Sequence, residues 1–339
     1  MDTNKITVIG GGSWGCALAR ILGDNGKNVL IYDIDEEAIK EINEFHTNKA
    51  KLHEGVLPKC VKGTVSLEEA VCFGELILLV VPTKVTRSIL EKINFIIKNN
   101  NQSKKLFINA SKGIEPDTFK RVSEIVYEVI DNNYIEGFVA LTGPSHAEEV
   151  VLQKLTMVAA ASDNEYHSKI VQEIFSNKTY FRVYRVNDLG GAELGGSLKN
   201  IYAIVAGCLD ELGYGANAKA ALITRGLTEM KRLAIALGGK EETLNGLTGV
   251  GDLIVTCTSK LSRNYQAGQK IARGIDIYKT LESMPMVVEG ARTCISAYQA
   301  ANYLGVDVPI INSIYNVVYL GKNPIDEIKL LMSRTLKEE

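Results

Sequence analysis

Three glycines, Gly10, Gly12 and Gly15, stand between the β-branched run "ITVI" (6–9) and an amphipathic run that begins "GCALARIL". No other feature constrains the chain so tightly. In the order strand, G-x-G-x-x-G, helix, Gly10 permits the tight turn, Gly12 lets main chain approach a ligand, and Gly15 lets helix and strand pack closely. The unpaired N–H groups at the start of the helix, with the positive end of its dipole, make the loop a cradle for an anion. Set within it is Trp14, the single tryptophan of the chain. The ligand of such a loop meets main chain, so the N–H groups of Ser13 and Trp14 face the anion and the indole projects away.

Asp33 closes the next β-branched run, "NVLIYD", 18 residues after Gly15. With that spacing the anion is the pyrophosphate of a dinucleotide, and the carboxylate accepts hydrogen bonds from ribose hydroxyls while repelling a 2′-phosphate. The surrounding "YDIDEE" adds negative charge and offers no arginine. NAD is therefore expected in preference to NADP. A solvated acidic turn is the bland alternative.

The first half of the chain repeats this strand–helix alternation. Expected strands are 6–10, 28–33, 76–81, 106–110, 138–143 and 156–161, all continuous apolar runs of the kind buried on both faces of a mainly parallel sheet. Helical patterns such as "GCALARILGDNG", which Gly26 is placed to stop, and "EEAIKEINEF" fill the gaps. The character changes near 181–196. Beyond it "LKNIYAIVAGCLDEL", "NAKAALITRGLTEMKRLAIALG", "RTCISAYQAANYLG" and "IDEIKLLMSR" read as helices. The expected architecture is α/β: a doubly wound parallel sheet over residues 1–188, then an all-helical domain over 189–339. A chain of 339 residues suits two domains.

Composition narrows the function classes. Lys+Arg of 38 against Asp+Glu of 40 favours neither nucleic acid nor an anionic membrane, so any anion site is local. Six scattered cysteines form no C-x-x-C pair, and His46 and His53 form no H-x-x-x-H pair, so no metal site is expected. "MDTNK" runs straight into the first strand, and the longest apolar runs are strand-length. The expected setting is the cytoplasm.

Further polar groups cluster at ends of elements. "INASKGIEP" (108–116) puts Lys112 just past a strand, where open α/β sheets bind ligands, and "LTGPSHAEEV" (141–150) repeats the arrangement with Gly143 and Ser145. A surface turn fits either loop as well as a binding role. In "GGSLKNIYAIVAG" (195–207) Lys199 and Asn200 are expected at the head of a small, apolar helix, where burial and neighbouring cations would make Lys199 a usable proton donor and acceptor. "TGVGDLIVTCTSKLSRN" (248–264) adds Asp252 and Thr256 on one helical face, then the donor-rich Ser262, Arg263 and Asn264, suited to a phosphate. Each of these also reads as a cap or a surface patch.

Taken in order, "GGGSWGCALA", "VPTK", "SKGIEPDT", "GPSHAEEV", "LKNIYAIVAG", "NAKAALITRG", "GLTGVGDLIVTCTSKLSRN" and "VVEGAR" give a chain that resembles, end to end, the NAD(P)-dependent glycerol-3-phosphate dehydrogenases of bacterial type. The resemblance implies a Rossmann domain, a helical domain and a cleft between them. It also implies interconversion of sn-glycerol 3-phosphate and dihydroxyacetone phosphate for glycerophospholipid synthesis, by a homodimer. By the same resemblance Lys199 is the proton acceptor, and Lys112 contacts substrate and cofactor. Gly143, Ser145, Asp252, Ser262, Arg263 and Asn264 match substrate contacts; Ser13, Trp14, Ala147, Arg263, Val287 and Glu289 match cofactor contacts. In that scheme Asn200 and Lys112 stabilise charge on the reacting oxygen, and Asp252 and Thr256 orient Lys199. Many members carry basic or histidine residues where this chain has "YDIDEE"; they accept NADPH, and NADP is the alternative here. Two rivals share parts of the pattern. A related β-hydroxyacid dehydrogenase would keep the glycine loop and a catalytic lysine, and a non-catalytic nucleotide sensor would keep the loop alone.

Overall fold

The computed structural model describes residues 1–116, 118–275, 279–280, 284, 288–336 and 338. The chain divides into two compact units, one of Met1–Lys112 with Lys120–Glu193, the other of Gly113–Phe119 with Leu194–Glu339.

The first unit is built on eight strands: β1 (Lys5–Ile9), β2 (Asn28–Tyr32), β3 (Val61–Thr64), β4 (Leu76–Leu79), β5 (Lys105–Asn109), β6 (Ile135–Thr142), β7 (Thr156–Ala161) and β8 (Phe181–Val186). They lie in the order β3-β2-β1-β4-β5-β6-β7-β8, and every neighbouring pair is parallel except β6 with β7. The order reverses between β1 and β4, which places a crevice beyond their carboxyl ends. The apolar runs are buried on both faces because alternate residues enter different cores. Ile6, Val8, Leu76 and Leu78 join one cluster, while Ile9, Ile77 and Leu79 join the other. Helices α1 (Ser13–Asp24), α2 (Glu36–Phe45), α3 (Leu67–Phe73), α4 (Thr83–Asn99), α5 (Val122–Val129), α6 (Ala147–Val150) and α7 (Glu165–Phe175) alternate with the strands. Gly26, at φ +77°, lies just past the end of α1.

Sequence reading had not marked β3 and β8. "VKGT" is too short and polar to form an apolar run, and "FRVYRV" alternates buried with exposed residues at the sheet edge.

The described elements of the second unit are helical. They are α8 (Leu189–Glu211), α9 (Ala216–Ala236), α10 (Glu241–Leu244), α11 (Asp252–Thr258), α12 (Arg263–Ala272), α13 (Glu289–Leu304), α14 (Pro309–Leu320) and α15 (Pro324–Met332). The division between the units falls inside α8, after Glu193. This helix starts well before the expected point, so Lys199 and Asn200 sit mid-helix and not at its head. The run "LGGAELGGS" reads as a breaker, yet it is helical, and Gly190 and Gly195 are glycine there because neighbours leave no room for a side chain. A Cβ on Gly190 would strike Arg121, and one on Gly195 would strike the carbonyl of Thr248. Asp188 caps the start, with Gly191 N–H donating to its Oδ1 at 2.9 Å. Further along, Gly207 and Gly268 bring α8 and α12 into main-chain contact. A Cβ on Gly207 would overlap the Tyr265 carbonyl, and one on Gly268 that of Ile204. Among the described residues no helix is long and apolar enough to cross a membrane.

Candidate active site

Each unit carries candidate site residues. In the first, the loops after β1, β4, β5 and β6 emerge at one edge of the sheet, since these strands are parallel. Gly10 turns there at φ +115°, and a Cβ on it would lie 2.6 Å from the Val80 carbonyl oxygen. Gly15 packs its Cα against the Gly10 carbonyl. Around Gly12 the space is open, with nothing within 4 Å of where a Cβ would stand. Helix α1 has no side-chain cap and no acidic residue in its first turn. A phosphate ester fits this end: its donors are main-chain N–H groups and nothing anionic on the helix opposes it.

Ser13 is buried and its hydroxyl donates to the Lys51 carbonyl at 2.7 Å. Trp14 is half-buried against the core, and its buried Nε1 has no hydrogen-bond partner among the described residues. Asp33 is turned toward the loop. Its Oδ2 accepts from Gly11 N–H at 2.6 Å and its Oδ1 from Asp35 N–H at 3.1 Å.

Two strands along, Lys112 and Ser145 converge on one atom. The Lys112 ammonium donates to the Gly143 carbonyl at 3.3 Å and the Ser145 hydroxyl donates to the same oxygen at 3.0 Å. Gly143 is held at φ +144° with Val158 close behind it. The β5 loop is braced by Asn109, whose side chain pairs with both backbone groups of Ser111. Ala147 opens α6 and is buried in the core.

The second unit holds the groups able to move a proton. Lys199 is 6% exposed and its Nζ lies 2.9 Å from Asp252 Oδ1 and 2.6 Å from Thr256 Oγ1. Asp252 is 1% exposed, delivered to this position by a wide helical turn over Leu247–Gly251 that runs directly into α11. The Thr256 hydroxyl donates back to the Asp252 carbonyl at 2.6 Å, so its oxygen is turned to accept from Lys199. A carboxylate, that of Asp252, thus faces Lys199. It offsets the cost of burying the ammonium. Burial pushes the thiol of nearby Cys257 up to about 12, so it stays protonated beside the pair.

One turn away a chain of amides links three helices. Gly290 N–H donates to Asn264 Oδ1 at 2.8 Å, and Asn264 Nδ2 donates to Asn200 Oδ1 at 3.0 Å. Asn200 and Asn264 are both buried. Ser262 is the N-cap of α12, its Oγ accepting from Tyr265 N–H at 3.3 Å, and half-buried Arg263 is the first residue of that helix. Glu289 opens α13. Val287 lies outside the described residues.

Models of the NAD-dependent glycerol-3-phosphate dehydrogenase N-terminus and C-terminus match residues 5–168 and 188–329. A glycerol-3-phosphate dehydrogenase (NAD(P)+) of Staphylococcus haemolyticus is 48% identical over 336 residues, which cover 99% of each chain. The chain belongs to the NAD(P)-dependent glycerol-3-phosphate dehydrogenase family. Its relative in Bacillus cytotoxicus is 49% identical over 99% of this chain and 97% of that one. The solved glycerol-3-phosphate dehydrogenase of Coxiella burnetii superposes with a TM-score of 0.91 at 32% identity, covering 98% and 99% of the two chains.

Within this family framework, two residues of the glycine loop region had escaped the sequence reading. Gly11 falls between the motif positions, yet a Cβ on it would lie 3.1 Å from Asp33. Asn48 donates to the Gly11 carbonyl at 2.9 Å from a segment without regular structure. The signal for Gly11 was present as a third consecutive glycine; for Asn48 there was none.

Proposed function

We propose that this chain interconverts sn-glycerol 3-phosphate and dihydroxyacetone phosphate, with Lys199 as the group that gives and takes the proton. The observation that carries the reading is the buried Lys199–Asp252–Thr256 cluster, in which a carboxylate and a hydroxyl fix one ammonium. The loop Gly10–Gly15 would hold the nicotinamide cofactor, which when bound would supply or accept the hydride. In the reductive direction Lys199 protonates the oxygen of the former ketone, and Asn200 and Lys112 stabilise negative charge as it develops there. Asp252 and Thr256 keep the Lys199 Nζ aimed. Ser262 suits a phosphate because capping uses an oxygen lone pair and leaves its proton to donate; Arg263 and the second N–H of Asn264 complete the set. Gly143 and Ser145 belong to the substrate side, and Trp14, Ala147, Val287 and Glu289 to the cofactor side. Asp33 gives NAD(H) preference over NADP(H), its carboxylate repelling a 2′-phosphate. The chain serves glycerophospholipid synthesis as a cytoplasmic homodimer, a reading that the family resemblance and six unpaired cysteines support.

The deciding experiment follows NADH oxidation by the purified chain with dihydroxyacetone phosphate. Turnover that is faster with NADH than with NADPH, with a KM for dihydroxyacetone phosphate raised in Arg263→Ala, is expected. No turnover with this ketone, but turnover with a β-hydroxyacid, favours the rival dehydrogenase. Binding of NADH without turnover on either leaves a sensor.

A further inference from the structure

Gly11 is held at both ends. Its N–H donates to Asp33 Oδ2 at 2.6 Å, and its carbonyl accepts from Asn48 Nδ2 at 2.9 Å and, more weakly, from the Cys16 thiol at 3.3 Å. Asn48 is 3% exposed and lies between α2 and β3, in a stretch fastened to the glycine loop and to the core. Its carbonyl accepts from Leu52 N–H at 2.7 Å, Leu52 and Leu57 enter the same core cluster as α1, and Ser13 donates to the carbonyl of Lys51. The orientation of the amide is chemically dictated: flipped, its oxygen would face the Gly11 carbonyl oxygen. As it stands, its Oδ1 is buried without a partner among the described residues. An apolar side chain would fill the space without that penalty, so the amide stands there for its donor.

A carbonyl and the N–H of the following residue lie in one rigid plane and point in opposite directions. Anchoring the Gly11 oxygen therefore aims the Gly12 N–H away from Asn48. Asp33 fixes the preceding peptide plane through the Gly11 N–H. We propose that Asn48 is a positioning residue for dinucleotide binding, which with Asp33 clamps the two peptides flanking Gly11 and so presets the Gly12 N–H, the entry to the helix start whose Ser13 and Trp14 N–H groups face the pyrophosphate. This rests on reading the Gly10–Gly15 loop as the pyrophosphate site. Preorganisation of this kind lowers the cost of ordering the loop on binding and leaves the chemistry at Lys199 untouched.

The test is calorimetric titration of the full chain with NADH and with ADP-ribose, for wild type, Asn48→Leu and Asn48→Ser. Leucine keeps the volume and removes the donor; serine is smaller and serves if leucine folds poorly. Losing the amide hydrogen bond, with the weaker Cys16 thiol contact still on the Gly11 carbonyl, predicts Kd raised about three- to tenfold for both ligands. In steady-state assays the KM for NADH rises while kcat and the KM for dihydroxyacetone phosphate hold, a split that a general loss of folding would not produce. A Kd within about twofold of wild type in both variants, with native far-UV dichroism, overturns the clamp. Calorimetry does not depend on turnover, so a wild type that binds NADH but leaves dihydroxyacetone phosphate unreduced refutes the proposed reaction and not this role of Asn48.

Discussion

Breaking the Lys199–Asp252 pair from either side should be far more damaging than deleting it whole. At 2.9 Å the two charges attract by about 6 kcal/mol at an effective dielectric constant near 20. Both groups are almost fully buried, at 6% and 1% exposure, so desolvation consumes most of that gain. Asp252→Leu alone leaves a buried ammonium without its carboxylate, and Lys199→Met alone leaves a buried carboxylate without its ammonium. Each should lower the unfolding free energy by about 3–5 kcal/mol. The double variant replaces both charges with apolar volume and should return to within about 1 kcal/mol of wild type. All three should lose at least about two orders of magnitude in kcat, since the proton donor or its orienting partner is gone. Urea unfolding followed by far-UV dichroism is the suitable assay: the only tryptophan lies in the first unit, so its fluorescence does not report directly on the helical one. A double variant as unstable as the worse single variant would refute the pairing argument. A double variant that is stable and still fully active would refute the role of Lys199.

Three other outcomes follow from the geometry. Gly10→Ala sets a Cβ 2.6 Å from the Val80 carbonyl oxygen at φ +115°, so NADH affinity measured by calorimetry should fall at least about tenfold and the melting temperature should drop. Burial raises the Glu229 carboxyl from 4.5 to about 7 although it accepts from Ile310 and Ile311 N–H and faces Tyr202. The native state then holds a proton that the unfolded state releases, so stability is highest below about pH 4.5 for this group and falls as pH rises to about 7, by up to about 3 kcal/mol; chemical unfolding of wild type and Glu229→Gln across that range checks it. Saturating NADH should quench the fluorescence of Trp14, and an unchanged emission spectrum would count against a cofactor seated on its loop.

Much of the first unit was legible because its signals are local. Continuous apolar runs gave six strands, and the second helical pattern, "EEAIKEINEF", matches α2 from end to end. What escaped was set by distant contacts. The edge strand β3 is defined by its pairing with β2, not by its own composition. Within the helix, positions 190 and 195 are glycine because a guanidinium and a carbonyl from elsewhere in the chain occupy the place of a Cβ, and these glycines hid the true start of α8. The site shows the same division. Asp252 and Thr256 could be paired from their i, i+4 spacing, but their placement on Lys199, a contact across 53 residues of sequence, was expected only from the family resemblance and not from the local pattern. Nothing in the letters around Asn48 distinguishes it from an asparagine in any loop.

The main-chain contact between α8 and α12 makes the geometry of the second unit adjustable in one direction only. Gly207 and Gly268 already bring the two backbones to their closest approach, and Asn200 reaches Asn264 across the same pair of helices. No substitution can draw the helices nearer, and any added carbon drives them apart. Variation at these two positions therefore has a sign: it stretches the Asn200–Asn264 link and never shortens it.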